Sequence, residues 1–159
     1  MQIRVGFGYD IHQLAENYEF WLGGVKLDFI KGAVGHSDAD VLIHAICDAL
    51  LGAADLRDIG FHFPDTDPKY KGVDSKLLLK EVMRLLHSQG YELGNIDSTV
   101  VLEKPKVNPH IIAMKEMLAE VMSVQTSQIS IKATTSEKMS FVGRGEGIKA
   151  YAIVLIQKT

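Results

Sequence analysis

The sequence predicts an α/β chain of the α+β type, a mixed β-sheet with three main helices on one face, and three observations carry that expectation. Strand-like alternation and helical periodicity mix along all 159 residues, in the rough order ββαα–βα–ββ. Three segments are long and periodic enough for substantial helices, and at least five shorter ones read as strands. The last strand, residues 148–157, is apolar on both sides, so both faces of the sheet need cover. Three helices are too few to supply it, and another subunit on the open sheet face is the expected second layer.

Composition excludes several classes. A hydrophobic fraction of 47% and a charged fraction of 23% are ordinary for a soluble globular chain. A net charge of −3 leaves no basic footprint for nucleic acid and no polybasic surface for membranes. The single cysteine, Cys47, cannot form an internal disulfide; it reads as a small buried hydrophobe and fits a reducing compartment. No apolar run approaches the ~18 residues of a membrane span, and the N-terminus reaches strand-like sequence at once, without a signal peptide. With no repeat, linker or low-complexity tract, residues 1–159 are expected to form one domain, in the cytoplasm.

In chain order, Ile3, Val5 and Phe7 alternate with Arg4, Gly6 and Gly8 as a strand does. If the backbone stays extended, Asp10 and His12 point to the same side and offer one oxygen and one nitrogen to zinc. A third ligand from elsewhere with the fourth position open would make such a site catalytic, and His44 is the candidate. Residues 19–28 read as a hairpin turning at Gly23-Gly24, with Trp21 as packing or interface surface.

Residues 35–68 hold most of the chemistry. Ser37 and Asp40 form a capping signature, and Val41, Leu42, Ala45, Ile46, Ala49 and Leu50 make the buried stripe of a helix that Gly52 is expected to stop. Asp40, His44 and Asp48 stack along another face, as a metal site, a general base or a solvated salt-bridge row. His36 precedes the cap, where helix N–H groups favour phosphate. Asp58, Asp65 and Asp67 then crowd a loop with Gly60, Pro64 and Pro68.

Asp74 or Ser75 caps a second helix over 76–89, closed by Gly90, with His87 as a partner of the helix dipole. Residues 96–103 form a strand ended by Lys104-Pro105-Lys106. Asn108, as N-cap with Pro109 behind it, starts a third helix whose stripe is Ile111, Met114, Leu118, Val121 and Met122. Residues 129–133 are a strand running into Thr134-Thr135-Ser136-Glu137, either a capped turn or a phosphate or magnesium site. Residues 143–147, Gly-Arg-Gly-Glu-Gly, could cradle an anion but lack a P-loop ending.

Taken together, GYDIH at 8–12, GHSDADVLIHAICDALLGA at 35–53, DIGFHFPDTDP at 58–68, KATTSEK at 132–138 and GRGEG at 143–147 resemble the 2-C-methyl-D-erythritol 2,4-cyclodiphosphate synthase family, with the motifs in order from end to end. The resemblance implies a homotrimer around a threefold axis, with active sites between subunits. It implies zinc, one per chain, on Asp10, His12 and His44, and magnesium or manganese on Glu137 with the substrate diphosphate. His36, Ser37, Asp58, Ile59 and Gly60 match phosphate-binding positions, alongside Asp10 and His12. Phe63, Pro64, Asp65, Thr66 and Asp67 match the methylerythritol pocket. From the adjacent subunit, Leu102, Glu103, Lys104, Pro105, Lys106, Val107 and Asn108 match the cytidine pocket, with Ala133, Thr134, Thr135 and Ser136. His36, Thr135 and Glu137 match the catalytic positions, and Phe141 and Arg144 an axial cavity for isoprenoid diphosphate. Tyr9, Ile11, Ser136, Lys104 and Val107 depart slightly from the family pattern without removing a ligand. Asp48 is assigned to orient His44 through its other ring nitrogen.

The implied reaction converts 4-diphosphocytidyl-2-C-methyl-D-erythritol 2-phosphate to the cyclic 2,4-diphosphate and CMP, in the non-mevalonate route to isoprenoids. It is phosphorus–oxygen lyase chemistry and needs no protein nucleophile. A metal-dependent phosphodiester hydrolase and a non-catalytic trimer binding isoprenoid diphosphate are the alternatives. Product mass separates the first of these, since hydrolysis adds a water and cyclisation does not.

Overall fold

The strand that opens the chain lies directly against the helix that follows the hairpin, and two glycines permit it. In the computed structural model, which describes residues 2–158, β1 (Ile3–Glu16) runs beneath α1 (Val41–Ala53). A Cβ on Gly6 would stand 1.9 Å from the Ala49 carbonyl oxygen, and one on Gly8 1.9 Å from that of Ala45. Only hydrogen on these two α-carbons lets helix and strand backbones touch.

Four strands precede α1: β1, the hairpin of β2 (Phe20–Leu22) and β3 (Val25–Leu27), and β4 (Lys31–Val34). After it come the one-turn helix α2 (Ile59–His62), α3 (Ser75–Ser88), β5 (Tyr91–Val101) and α4 (Ile111–Met122). The chain ends with β6 (Ile129–Thr134), the short α5 (Ser140–Gly143) and β7 (Gly147–Lys158). Among the described residues, five strands form a mixed sheet in the order β4–β1–β7–β5–β6, with β5–β6 its parallel pair. Helices α1, α3 and α4 pack with it into one layer-on-layer core, as the sequence predicted. Among the described residues, no helix is long and apolar enough to cross a membrane.

Several local expectations change. α1 is not half-solvated: all of its 13 residues except His44, Asp48 and Gly52 are buried. At about 1.5–3 kcal/mol for each fully buried large aliphatic side chain, it is a major source of the fold's stability. Its N-cap is Asp40 rather than Ser37, because Ala39 takes a left-handed backbone (φ 58°) that keeps the helix from starting sooner. The Asp40 carboxylate is fully buried and accepts from Ile43 N (3.1 Å), Gly23 N (2.9 Å) and Gly24 N (2.7 Å). It therefore ties the hairpin turn to the helix. Helix α1 also runs past Gly52, to Ala53.

Asn108 does not cap α4. Asn108–His110 form a 3-10 turn first, and the α-helix begins at Ile111. β5 starts at Tyr91 rather than 96, its early part disguised by Gly94 and a bulge between Leu93 and Asn95. β4, an edge strand on residues 13–16, has no clear alternation in the sequence. The hairpin, the Asp74 cap of α3, the burial of Cys47 and the packing of Trp21, under the Lys76 ammonium, follow expectation.

Away from the helices, the other sheet face leaves apolar side chains uncovered. Val5 is 65% exposed and Phe7 62%, with Ile3, Tyr9, Ile11 and Ile153 also exposed. β1 therefore presents its large side chains outward and its glycines inward.

Gly8→Ala should lower stability by about 3 kcal/mol or more, because the clashing atom is backbone and cannot rotate away. Gly52→Ala, on the exposed side of α1 with open space around its α-carbon, should gain up to about 1 kcal/mol from helix propensity. Urea unfolding midpoints compare them, and equal midpoints for parent and Gly8→Ala would refute the close approach.

Candidate metal centre and active site

Extension of β1 puts Asp10 and His12 on the side facing α1, and the glycine contact lowers His44 onto them. Asp10 Oδ2 lies 2.9 Å from His12 Nε2 and 3.0 Å from His44 Nδ1, and the two ring nitrogens are 3.2 Å apart. Ligand atoms about 2.1 Å from a tetrahedral zinc stand about 3.4 Å from one another. The three donors thus sit within a few tenths of an ångström of the spacing a metal would impose. Among the described residues, no other group of three or more His, Cys, Asp or Glu side chains is so placed.

Each histidine is turned by its second nitrogen. His12 Nδ1 donates to the Val34 carbonyl at 3.1 Å, which leaves Nε2 bare for a metal. His44 Nε2 faces two hydroxyls, Ser75 Oγ at 2.9 Å and Ser37 Oγ at 3.1 Å. Asp48, expected to orient His44, instead accepts from Ile59 N at 2.7 Å and seats the start of α2. The expectation failed because four-residue spacing fixes a shared helix face, whereas α2 packs closer to that carboxylate than the imidazole does. Spacing also gave no sign of Ser75 or Asp38, which arrive from another helix start and another turn.

The charges respond to this crowding. Burial opposes ionisation of Asp10, but hydrogen bonds and charge from His12 and His44 hold its pKa far below the usual aspartate value. Burial likewise opposes charge on His44, yet Asp10, with help from Asp40 and Asp38, raises its pKa above an ordinary histidine's. Burial raises the Asp48 pKa, and Asp10 and Asp58 add to the effect against the Ile59 N–H.

A cavity of about 340 Å³ opens onto the two histidines of the triad, with Asp10 behind them and outside its wall. Its walls include His12, His36, Ser37, His44, Ile59, Gly60, Phe63 and Asp65. Tyr70, Val73 and Leu78 complete it and were not singled out from the sequence; they carry no motif, only a place after the acidic loop. Of that loop, Asp58, Pro64, Thr66 and Asp67 do not line the cavity. Asp67 caps a 3-10 turn through Lys69 N (2.9 Å), and its carbonyl lies 3.4 Å from His36 Nε2. The fourth position of a metal on the triad would face this open space, as in catalytic rather than structural sites.

A second cluster forms where β5 and β6 end. Leu102, Glu103, Pro105, Lys106, Val107, Asn108, Ala133, Thr134 and Thr135 line a cavity of about 100 Å³. Leu102 N donates to Thr134 O (3.0 Å) and Ser136 N to Glu103 Oε2 (3.3 Å), locking the two segments together. Lys104, Ser136 and Glu137 lie outside the wall. Glu137 is exposed, with a left-handed backbone (φ 54°) and no ion-pair partner among the described residues. Arg144 pairs with Glu146 at 2.8 and 3.0 Å, so residues 143–147 hold their own anion, and Phe141 packs on Gly147.

Known proteins match along the full length. A model of the YgbB family matches residues 3–157. A curated 2-C-methyl-D-erythritol 2,4-cyclodiphosphate synthase from Parabacteroides distasonis is 66% identical over 158 residues, 99% of this chain and 98% of that protein. Among solved structures, the bifunctional IspDF from Campylobacter jejuni is 40% identical with a TM-score of 0.96; the match covers 99% of this chain and 43% of that one. A 2C-methyl-D-erythritol-2,4-cyclodiphosphate synthase in its CDP-bound form is 37% identical with a TM-score of 0.89, over 97% of this chain and 100% of that one.

In chelator-treated protein the Asp10–histidine contacts should stabilise the fold in a defined pH window. The depressed Asp10 contribution is present above the ordinary aspartate value of 3.8 and fades as pH falls below it. The raised His44 contribution is complete below the ordinary histidine value of 6.5 and fades as pH rises through its higher folded value. The Tm gap between parent and Asp10→Asn should therefore be widest between these values and narrow on either side. A gap independent of pH would show that the triad is not coupled.

Proposed function

Because the chain belongs to the YgbB family, we infer that it is a cyclodiphosphate synthase, forming 2-C-methyl-D-erythritol 2,4-cyclodiphosphate as its curated relatives are named for doing. The observation that carries this reading is the triad of donors 2.9–3.2 Å apart, its two histidines in the wall of a cavity that Asp65 of the acidic loop also lines. We assign it phosphorus–oxygen lyase chemistry within a single catalytic domain, acting in the cytoplasm on 4-diphosphocytidyl-2-C-methyl-D-erythritol 2-phosphate. The 2-phosphate oxygen attacks the β-phosphorus, the bond from that phosphorus to the bridging oxygen breaks, and CMP leaves.

The chain's own residues chiefly hold the folded substrate. An intramolecular attack held in line can gain roughly 7–11 kcal/mol from proximity. His36 and Ser37, on the cavity wall, are placed to bind phosphate, and Asp65 to accept from sugar hydroxyls. Leu102 to Asn108 with Ala133 to Thr135 supply backbone and hydroxyl groups for the cytidine end. Zinc on Asp10, His12 and His44, with magnesium or manganese on Glu137, would supply Lewis-acid polarisation and neutralise phosphate charge. A lone exposed carboxylate suits a hard cation whose other ligands are phosphate oxygens and water.

We further propose a homotrimer with shared sites. Asp10 pairs with Ala150, Ala150 with Val100, and Val100 with Ala133. Three strand spacings, roughly 14 Å, thus separate the triad from the Thr135 cluster within one chain. The uncovered apolar face of β1 and β7 gives neighbouring copies a surface on which to bring one chain's triad to another's cluster. Phe141 and Arg144 would then flank the axis, where Glu146 competes with any isoprenoid diphosphate for Arg144.

Incubation with the cytidyl substrate and magnesium should release CMP together with a cyclic product carrying no added water, seen by mass. A product one water heavier means hydrolysis, and no CMP at all rejects the activity. His44→Ala should stay folded, lose its zinc and lose turnover.

The shared site has its own test. His44→Ala and Glu137→Ala should each be nearly inactive, yet regain part of the activity when unfolded together and refolded as mixed oligomers. Mixed species confirmed by mass but no more active than the separate variants would place the whole site in one chain.

A further inference from the structure

Behind His44 runs a chain of hydrogen bonds that the activity above does not use. Ser75, the first residue of α3, is fully buried. Its Oγ lies 2.9 Å from His44 Nε2 and also contacts Asp38 Oδ1, while its backbone N–H donates to Asp38 Oδ2 at 2.9 Å. A carboxylate only accepts, so the Ser75 hydroxyl spends its proton on Asp38. Its oxygen is left as an acceptor pointed at His44. A histidine that gives its Nδ1 lone pair to a metal carries its remaining proton on Nε2, and that proton needs an acceptor.

Two hydroxyls are in reach, and they are not equivalent. Ser37 is farther, at 3.1 Å, only half-buried, its oxygen already accepts from Ala39 N at 3.1 Å, and its contact to Ser75 Oγ is a long 3.5 Å that a phosphate oxygen can displace. We propose that Ser75, backed by Asp38, is the positioning residue of the metal centre, fixing the tautomer and ring plane of His44 so that Ser37 is free to donate its hydroxyl proton to substrate phosphate in the cavity. The inference rests on the metal reading of Asp10, His12 and His44. Beside the Asp74 cap of α3, the carboxylate that holds the Ser75 N–H is thus also the one that orients its hydroxyl.

Zinc affinity, measured by competition with a chromophoric chelator, tests the assignment. Ser75→Ala should bind zinc roughly 10–100-fold more weakly, the usual loss when the partner of a ligating histidine is removed. Ser37→Ala should keep the parent's zinc affinity and lose turnover. The second readout is the imidazole proton itself. In the zinc-loaded parent, the His44 Nε2–H should give a slowly exchanging downfield proton resonance, absent from His44→Ala, retained in Ser37→Ala and lost or fast-exchanging in Ser75→Ala. Parent-like zinc affinity in folded Ser75→Ala, while His44→Ala has lost zinc, overturns the role of Ser75 and leaves the metal centre standing. If Ser75→Ala does not fold, the parent decides: a His44 proton exchanging as fast as an exposed imidazole rejects the proposal. A parent that takes up no zinc overturns the metal reading, and this proposal with it.

Discussion

The contact of α1 with β1 at glycine distance is the constraint on which the rest of the molecule depends. Ala45 and Ala49 rest their carbonyls over Gly8 and Gly6, and the sheet row beneath continues through Ala152 and Ser98. Small residues along that row let the helix lie flat on the sheet. A longer interaxial distance would be harmless to an ordinary core, which can fill the gap with larger side chains. Here it would lift His44 away from Asp10 and His12, whose donor atoms must meet within about 3.4 Å to share a metal. Packing and chemistry therefore impose the same geometry.

Around that contact, four aspartates close to one another have four different tasks. Asp10 contacts both histidines of the triad as a candidate ligand. Asp38 bonds Ser75, Asp40 caps α1 and holds the hairpin turn, and Asp48 holds the start of α2. Each carboxylate except Asp10 is taken up by backbone N–H or hydroxyl donors, which give its oxygens partners inside the fold; burial still raises the pKa of Asp40 and Asp48. This leaves the triad braced from the strand, the helix and the two flanking turns, with the cavity as its open side.

The sheet is lopsided for a related reason. With glycines turned towards α1, β1 must turn its Ile, Val, Phe and Tyr side chains outward. Farther across, the same face becomes polar, with Lys132 paired to Asp97 at 2.7 Å. The apolar half is thus confined to β1 and β7, a surface suited to copies of the same chain. The Asp10–His12 stretch of β1 and the ends of β5 and β6 lie towards the same end of the sheet, where such neighbours could share them.

The amino-acid sequence by itself determined the strand pair Asp10 and His12, the long apolar helix bearing His44, the hairpin turn and the family motifs, because period-2 and period-3.6 patterns and short motifs are local properties of the chain. It also held an unread sign of the close contact, since glycine at alternate positions of a strand marks a near neighbour on one side. Only the tertiary structure decided which neighbour met which side chain. Asp40, His44 and Asp48 share one helix face by spacing, yet one is a cap, one joins Asp10 and His12 and one anchors a loop, because different segments pack against each. Ser75 lies 31 residues from His44. No periodicity reaches across such a separation; the pairing exists because α3 docks on α1 with its first turn over the imidazole, and that docking is a property of the packed core.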